Sequence, residues 1–277
     1  MKTILFFFAL LIASTLFAYD DSDLDGVDDA VDKCPNTPFT ELVDINGCTT
    51  KILVSQHHYD VIVGASYSDS DYQTLNKTDT LSTTLQADYY YKNFSLGIAT
   101  SYFQTEGSGY KDRGFNDSYL NVSYQDTPFA SLVVRGATGV ILPTYSTDLN
   151  NNNTDYFGSL NMSYSFEKFN LFCGATYTMV MDDNVIVYDT NSSVDVQYQN
   201  TLALSIGTGY YVTEQLYASV AYNRSDSIYK SIEEIKTLSI FTNYAVSEHL
   251  FSTLSYAKGL SDSASKNYLS VRIGYYF

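Results

Sequence analysis

From Tyr59 to Phe277 the chain alternates apolar and polar side chains with a period of two, in one segment after another. Leu81, Thr83, Leu85, Ala87, Tyr89 and Tyr91 form one set against Ser82, Thr84, Gln86, Asp88 and Tyr90. Leu202, Leu204, Ile206, Tyr210 and Val212 do the same against Thr201, Ala203, Ser205, Gly207, Gly209 and Tyr211. Successive side chains of a strand point to opposite faces, so each segment predicts a strand with one greasy and one polar face. A one-residue slip would exchange the faces, so the same pattern fixes the register. Connections alternate in length: short ones near Lys92-Asn93, Gln125–Pro128, Glu167-Lys168, Thr213–Gln215 and Ser247–His249, long ones near 69–78, 106–113, 144–154, 182–193, 224–234 and 259–266. Eleven connections predict 12 strands, each with its connection taking about 18 residues, which suits spans of 9–11 residues plus loops.

The last strand is the most telling. Leu269, Val271, Ile273, Tyr275 and Phe277 lie on one face and Tyr268, Ser270, Arg272, Gly274 and Tyr276 on the other. This pattern, ending on an aromatic residue, resembles the terminal strand of bacterial outer-membrane β-barrels, and the short–long rhythm of connections resembles their turns and loops. The resemblance implies an all-β fold, a transmembrane antiparallel β-barrel of about 12 strands. It also implies outer-membrane lipid and the barrel-assembly machinery as partners, with the five apolar C-terminal residues serving insertion. An even strand count places both barrel ends in the periplasm. A soluble β-sandwich, the competing reading, needs neither the terminal aromatic nor the rhythm of connections.

Residues 1–18 read as a signal peptide, with Lys2, an apolar run and Ala18 before an acidic stretch. No cysteine follows Ala18 directly, which argues against a lipid anchor, and no later stretch approaches the roughly 20 apolar residues of a membrane-spanning helix. The organisation expected is therefore signal peptide 1–18, an acidic module 19–50, a linker 51–58 and the barrel 59–277. The 27 Tyr and 16 Phe, with no Trp, suit strands whose ends meet a membrane surface. The net charge of −16 places nine acids against Lys33 within 19–50 and 22 acids against 13 bases within 51–277. Such a chain, with no basic run, excludes nucleic acid as a partner.

In the acidic module, residues 21–32 place Asp21, Asp23, Asp25, Asp29 and Asp32 at positions 1, 3, 5, 9 and 12, with Gly26 at position 6. This is the spacing by which a loop wraps oxygen ligands around Ca²⁺, Gly26 making the sharp turn and the Val27 carbonyl adding a ligand. Cys34-Pro35-Asn36-Thr37-Pro38 and Gly47-Cys48 follow, and with the aspartates they resemble a thrombospondin type 3 repeat of the bacterial kind over about residues 20–48. The resemblance implies Ca²⁺ bound by these aspartates, although the family strings several repeats together and this chain has one. An acidic, self-repelling linker is the plainer alternative, but it has no need of Gly26 at that spacing. Cys34 and Cys48 stand close together in an exported segment, where a disulfide would close a short loop. Peptidoglycan or a periplasmic protein is a candidate partner for this module.

Charges expected to point inward from mid-strand are Asp60, Asp88, Arg135, Asp195 and Arg272, the rest of the inner face being mostly Ser, Thr, Gly, Asn, Gln and Tyr. Closure of the first strand on the last brings Asp60, Asp88 and Arg272 onto three adjacent strands, either to pair with one another or to select solutes. Twelve strands enclose more space than side chains fill. The sequence thus favours passive passage of small neutral or cationic solutes over a structural or adhesive role. Hydrolysis is disfavoured, because His57, His58 and His249 all fall on the short-turn side, and His57-His58 is a weak metal site. Cys173 shares parity with Leu171 and Tyr177 and is expected to face lipid as a small apolar group. Millimolar Ca²⁺, but not Mg²⁺, is expected to bind and order a peptide covering residues 19–50; calorimetry with no heat of Ca²⁺ binding would refute the module.

Overall fold

In the computed structural model the chain divides into two units, residues 1–55 and 56–277. The structure describes residues 33–34, 57–70, 77–107, 110–145, 152–189 and 192–277. Of the first unit this includes only Lys33 and Cys34, and Cys34 is disulfide-bonded. The expected ligands Asp21, Asp23, Asp25, Val27, Asp29 and Asp32, and the expected partner cysteine Cys48, lie outside the described residues.

The regular elements among the described residues of the second unit are strands: β1 (His57–Ser70), β2 (Thr78–Tyr91), β3 (Phe94–Gly107), β4 (Tyr110–Phe115), β5 (Ser118–Phe129), β6 (Leu132–Leu142), β7 (Asp155–Phe166), β8 (Phe169–Met179), β9 (Val185–Asp189), β10 (Ser192–Val196), β11 (Thr201–Tyr211), β12 (Leu216–Ser225), β13 (Ile235–Ala245), β14 (Leu250–Gly259) and β15 (Asn267–Tyr276). Each pairs antiparallel with its neighbours. β3 pairs with β5 along its first half and with β4 along its second, so β4 and β5 are one barrel strand interrupted at Asn116-Asp117. β9 and β10 form a separate hairpin between β8 and β11, which pair directly. β1 pairs with β15 from Asp60↔Tyr276 to Asp69↔Asn267 and closes the sheet on itself. Twelve strands thus make the ring.

Closure is carried to the final residue. Phe277 donates its N–H to the Tyr59 carbonyl at 2.9 Å, and at the other end Lys266 donates to the Asp69 carbonyl at 2.8 Å. A closed antiparallel ring leaves no edge, which is the condition for crossing hydrocarbon, where no water satisfies the backbone. The distribution of apolar mass agrees. Among the described residues only Ile62, Phe103 and Ala264 are buried apolar side chains, while Leu85, Ile206, Ile240 and Ile273 are 52, 63, 53 and 55% exposed. A water-soluble sandwich would show the inverse.

The turns decide which faces meet. Lys92-Asn93 and Glu167-Lys168 are two-residue turns with Lys92 and Glu167 at φ 52° and 50°, the left-handed geometry that tight hairpins require. The turn expected at 125–128 lies instead at Ala130-Ser131: β5 runs on through Pro128 to Phe129, with a register shift between Asp126 and Phe129. A bulge absorbs a proline that a regular ladder would exclude. The long loop expected at 106–113 is a hairpin extension of β3 and β4, and that at 182–193 contains most of the β9–β10 hairpin. His57 and His58 begin β1 and do not belong to a linker.

On the inner face, glycines stand beside large side chains. Phe157 lies against Gly139, Phe172 against Gly207, Tyr217 against Gly209 and Phe251 against Gly274, each ring occupying the space a Cβ would take. Three of these are directly opposed cross-strand pairs. The missing Cβ leaves an inward ring room to settle against the glycine backbone of the wall. For the outer face, Ile240→Arg near the middle of β13 is expected to cost about 2–4 kcal/mol in lipid vesicles, as a cation at the bilayer midplane does; a denaturant titration showing no loss would mean that this face does not meet acyl chains.

Candidate functional site: the barrel lumen

Of the five charges that sequence alternation places inward, four, Asp60, Asp88, Arg135 and Arg272, lie on the inner wall of the ring. Asp60 and Asp88 are directly opposed on β1 and β2, and Gly97 and then Asn121 continue the same row across β3 and β5. Like charges directly opposite destabilise a strand pair, and here each is met by a neutral donor. The Tyr90 hydroxyl donates to Asp60 Oδ2 at 3.0 Å and Gln86 Nε2 donates to Asp88 Oδ2 at 2.5 Å. Asp88 and Asn121 both lean over Gly97, where a Cβ would sit 2.5 Å from Asp88 Oδ1 and 2.8 Å from Asn121 Nδ2.

Arg272, opposite Gly64, does not reach either carboxylate. Its guanidinium donates to Gln86 Oε1, so Gln86 links the arginine to Asp88. Asp60 Oδ1 and Arg272 Nε are shut off from solvent without a hydrogen-bond partner. Of the two roles expected for Asp60, Asp88 and Arg272, pairing with one another is not formed: they share a wall but make no ion pair. The register explains the separation, since Asp60 opposes Tyr276 and Arg272 lies four residues farther along β15.

Arg135 on β6 lies back across two strands. Its Nε donates to Ser123 Oγ at 2.9 Å and Nη2 to Ser95 Oγ at 3.1 Å, and the two hydroxyls are 2.6 Å apart. Ser95 and Ser123 are 6 and 3% exposed, so the guanidinium is fixed on buried hydroxyls. Two strands on from β6, Asn170 on β8 gathers Ser163, Ser165 and the Tyr217 hydroxyl. Asp195 is not on a strand of the ring. It sits exposed on β10, accepting from Gln197 Nε2 at 2.6 Å, because the alternation expected to mark a barrel strand there belongs to the separate β9–β10 hairpin.

The ion pairs found among the described residues all lie at the long-loop end. Arg224 pairs with Asp226 at 3.4 Å and with Glu234, which Lys236 also meets at 3.3 Å. Lys77 lies 3.7 and 3.2 Å from Asp69 and Asp79. The β6–β7 connection is tied to the β4/β5 break: Tyr145 and Asn152 both donate to Asp117 Oδ1, and Thr144 donates to the Asn116 carbonyl. Sequence reading missed this anchorage, for which Asn116-Asp117 inside a strand was the available signal.

The histidines do not converge on a nucleophile. The His57 ring meets Tyr89 and Tyr91, His58 stacks on Tyr276 at 5.2 Å, and His249 Nδ1 lies 3.1 Å from the Tyr276 carbonyl. Among the described residues no group of three or more His, Cys, Asp or Glu side chains is arranged to hold a metal. Cys173 is a free, exposed thiol on the outer face of β8. On that same outer surface, Leu269, Val271, Ile273, Tyr275 and Phe277 are all exposed, with Tyr275 meeting Phe277 edge-on at 4.8 Å.

No protein-family model matches the chain, and no curated protein matches its sequence. Solved structures do. An outer membrane channel from Pseudomonas putida F1 superposes with a TM-score of 0.66 at 11% identity, over 79% of this chain and 95% of that one. The beta domain of a Bordetella autotransporter gives 0.52 at 10% over 79 and 98%, and the translocator domain of the autotransporter NalP from Neisseria meningitidis 0.50 at 9% over 82 and 90%. With the closed ring and the exposed apolar outer face, these likenesses define the class: a transmembrane β-barrel of the bacterial outer-membrane kind.

Glu234, held by Arg224 and then Lys236, has its carboxyl lowered to about 2. A depressed carboxylate favours the folded rim above its ordinary value near 4.5, and this contribution is lost as pH falls from there towards 2. Carboxyl-carbon NMR is expected to show Glu234 still ionised at pH 3.5; titration near 4.5 would mean that the Arg224 contact does not persist in solution.

Proposed function

We propose that this barrel is a porin-like outer-membrane channel that passes small solutes passively. The observation that carries the reading is the state of the inner wall. Arg135 and Arg272 are bound sideways to wall side chains, the inward aromatic rings lie over glycines, and no ion pair joins the four lumen charges. Side chains that lie along a wall leave the axis of a 12-strand ring to water. The structural neighbour described as an outer membrane channel lends support through its shared architecture.

With Asp195 off the ring strands, two carboxylates and two guanidinium groups remain of the five inward charges expected. Both arginines are engaged by neutral partners, while Asp112, Asp117 and Asp155 add acidity towards the long-loop end. The balance favours neutral solutes and small cations over anions. The N-terminal segment, with Asp21, Asp23, Asp25, Val27, Asp29 and Asp32 as Ca²⁺ ligands and a Cys34–Cys48 disulfide, is proposed as a periplasmic calcium-binding repeat on the strength of its sequence. A surface-binding role is the second reading, and the β9–β10 hairpin favours it by presenting Ile186 and Val194 at 53 and 57% exposure.

Purified, refolded protein in a planar bilayer is expected to give single-channel steps with weak cation preference, and Asp60→Asn with Asp88→Asn is expected to reduce that preference. Absence of steps would refute the channel, and anion selectivity would refute the charge argument.

A further inference from the structure

Where β4 hands over to β5, the inner wall holds a recess of about 310 Å³, at the low end of the range of small-molecule sites. Phe103 of β3, 8% exposed, lies against Gly114 of β4 and forms one side. Tyr145 comes in from the β6–β7 connection and meets Phe103 edge-on, with ring centroids 5.6 Å apart at 62°. The Tyr145 hydroxyl donates to Asp112 Oδ2 at 3.2 Å. Around these stand the hydroxyls of Thr80 and Thr105, 2.8 Å apart, and the amide of Asn116, which donates to Ser101 Oγ at 2.7 Å.

Tyr145 is held in place by its backbone: its N–H donates to Asp117 Oδ1 at 3.0 Å and its carbonyl accepts from Asn152 Nδ2 at 3.0 Å. The recess therefore combines two positioned aromatic rings, one carboxylate, one amide and several hydroxyls. An aromatic ring covers the C–H face of a sugar, while carboxylate, amide and hydroxyl groups satisfy donors and acceptors on neighbouring hydroxyls of the same molecule.

We propose that this recess is a binding subsite for an uncharged polyhydroxylated solute of about monosaccharide size at the long-loop mouth of the lumen. The proposal rests on the channel reading for its purpose but not for its test. An organic cation is the rival occupant, since rings beside a carboxylate also suit a quaternary ammonium. The lining favours the polyol: Asp112 already accepts from the Arg113 N–H and the Tyr145 hydroxyl, and the other polar groups are neutral.

Saturation-transfer NMR on the full chain in detergent, with D-glucose as probe, decides it without requiring conductance. The wild type is expected to show saturable transfer, and Asp112→Asn and Tyr145→Ala to weaken binding about tenfold each, as loss of one charged hydrogen bond or one ring contact would. Heat-modifiable gel migration checks that both variants remain barrels. No saturable signal in the wild type, equal binding in all three proteins, or displacement of glucose by choline at lower concentration would overturn the proposal. A barrel that binds glucose yet carries no current would remove the channel reading and leave the subsite standing.

Discussion

The structure depends on one constraint: inside hydrocarbon every backbone N–H and C=O must find its partner within the protein. The pairing of β1 with β15 meets it. Without those rungs, from Asp60↔Tyr276 to Asp69↔Asn267, the sheet would present two open edges to lipid. The terminal residue takes part, Phe277 exchanging hydrogen bonds with Tyr59 while its ring lies outside against Tyr275. Once the ring is closed, period-two alternation sends one set of side chains outward to lipid and the other inward to water, and the scarcity of buried apolar side chains among the described residues follows.

The inner surface is shaped by what a closed wall permits. Inward side chains cannot bury themselves in a core, so they spread over their neighbours: rings over glycines, Arg135 over Ser123 and Ser95, Arg272 onto Gln86. Charges bound to neutral groups keep more of their field in the lumen than charges neutralised by direct pairing. The opposed Asp60 and Asp88 are tolerated because Tyr90 and Gln86 donate to them and Gly97 leaves one of them room. At the other end, where loops leave the ring, ion pairs such as Arg224–Glu234 take over, and a connecting segment folds back onto a broken strand.

Much of this was legible in the sequence, and the failures share a cause. Alternation in Leu202–Val212 and Leu269–Phe277 gave faces and register because lipid on one side and water on the other impose opposite chemistry. Beyond the membrane both faces of a strand meet water, and the contrast fades. Segments 106–113 and 182–193 therefore read as loops although strand pairing continues through most of them, and Asp195 read as lumenal although it sits on β10. Asp126-Thr127-Pro128 has turn chemistry, yet the strand passes through it on a bulge and turns at Ala130-Ser131. Register also placed Asp60, Asp88 and Arg272 on adjacent strands without saying which way a long side chain leans. The calcium-loop pattern of residues 21–32 lies outside the described residues and stands on its spacing alone.

The central claim is that one side of each strand faces acyl chains and the other an aqueous interior. Spin labels at single cysteines along residues 268–276, in a Cys173→Ser background in lipid vesicles, test it most directly. Oxygen accessibility is expected to peak at 269, 271, 273 and 275, and accessibility to a water-soluble nickel chelate at the even positions, the two profiles running out of phase. Profiles that rise and fall together, or that show no period of two, would contradict the account.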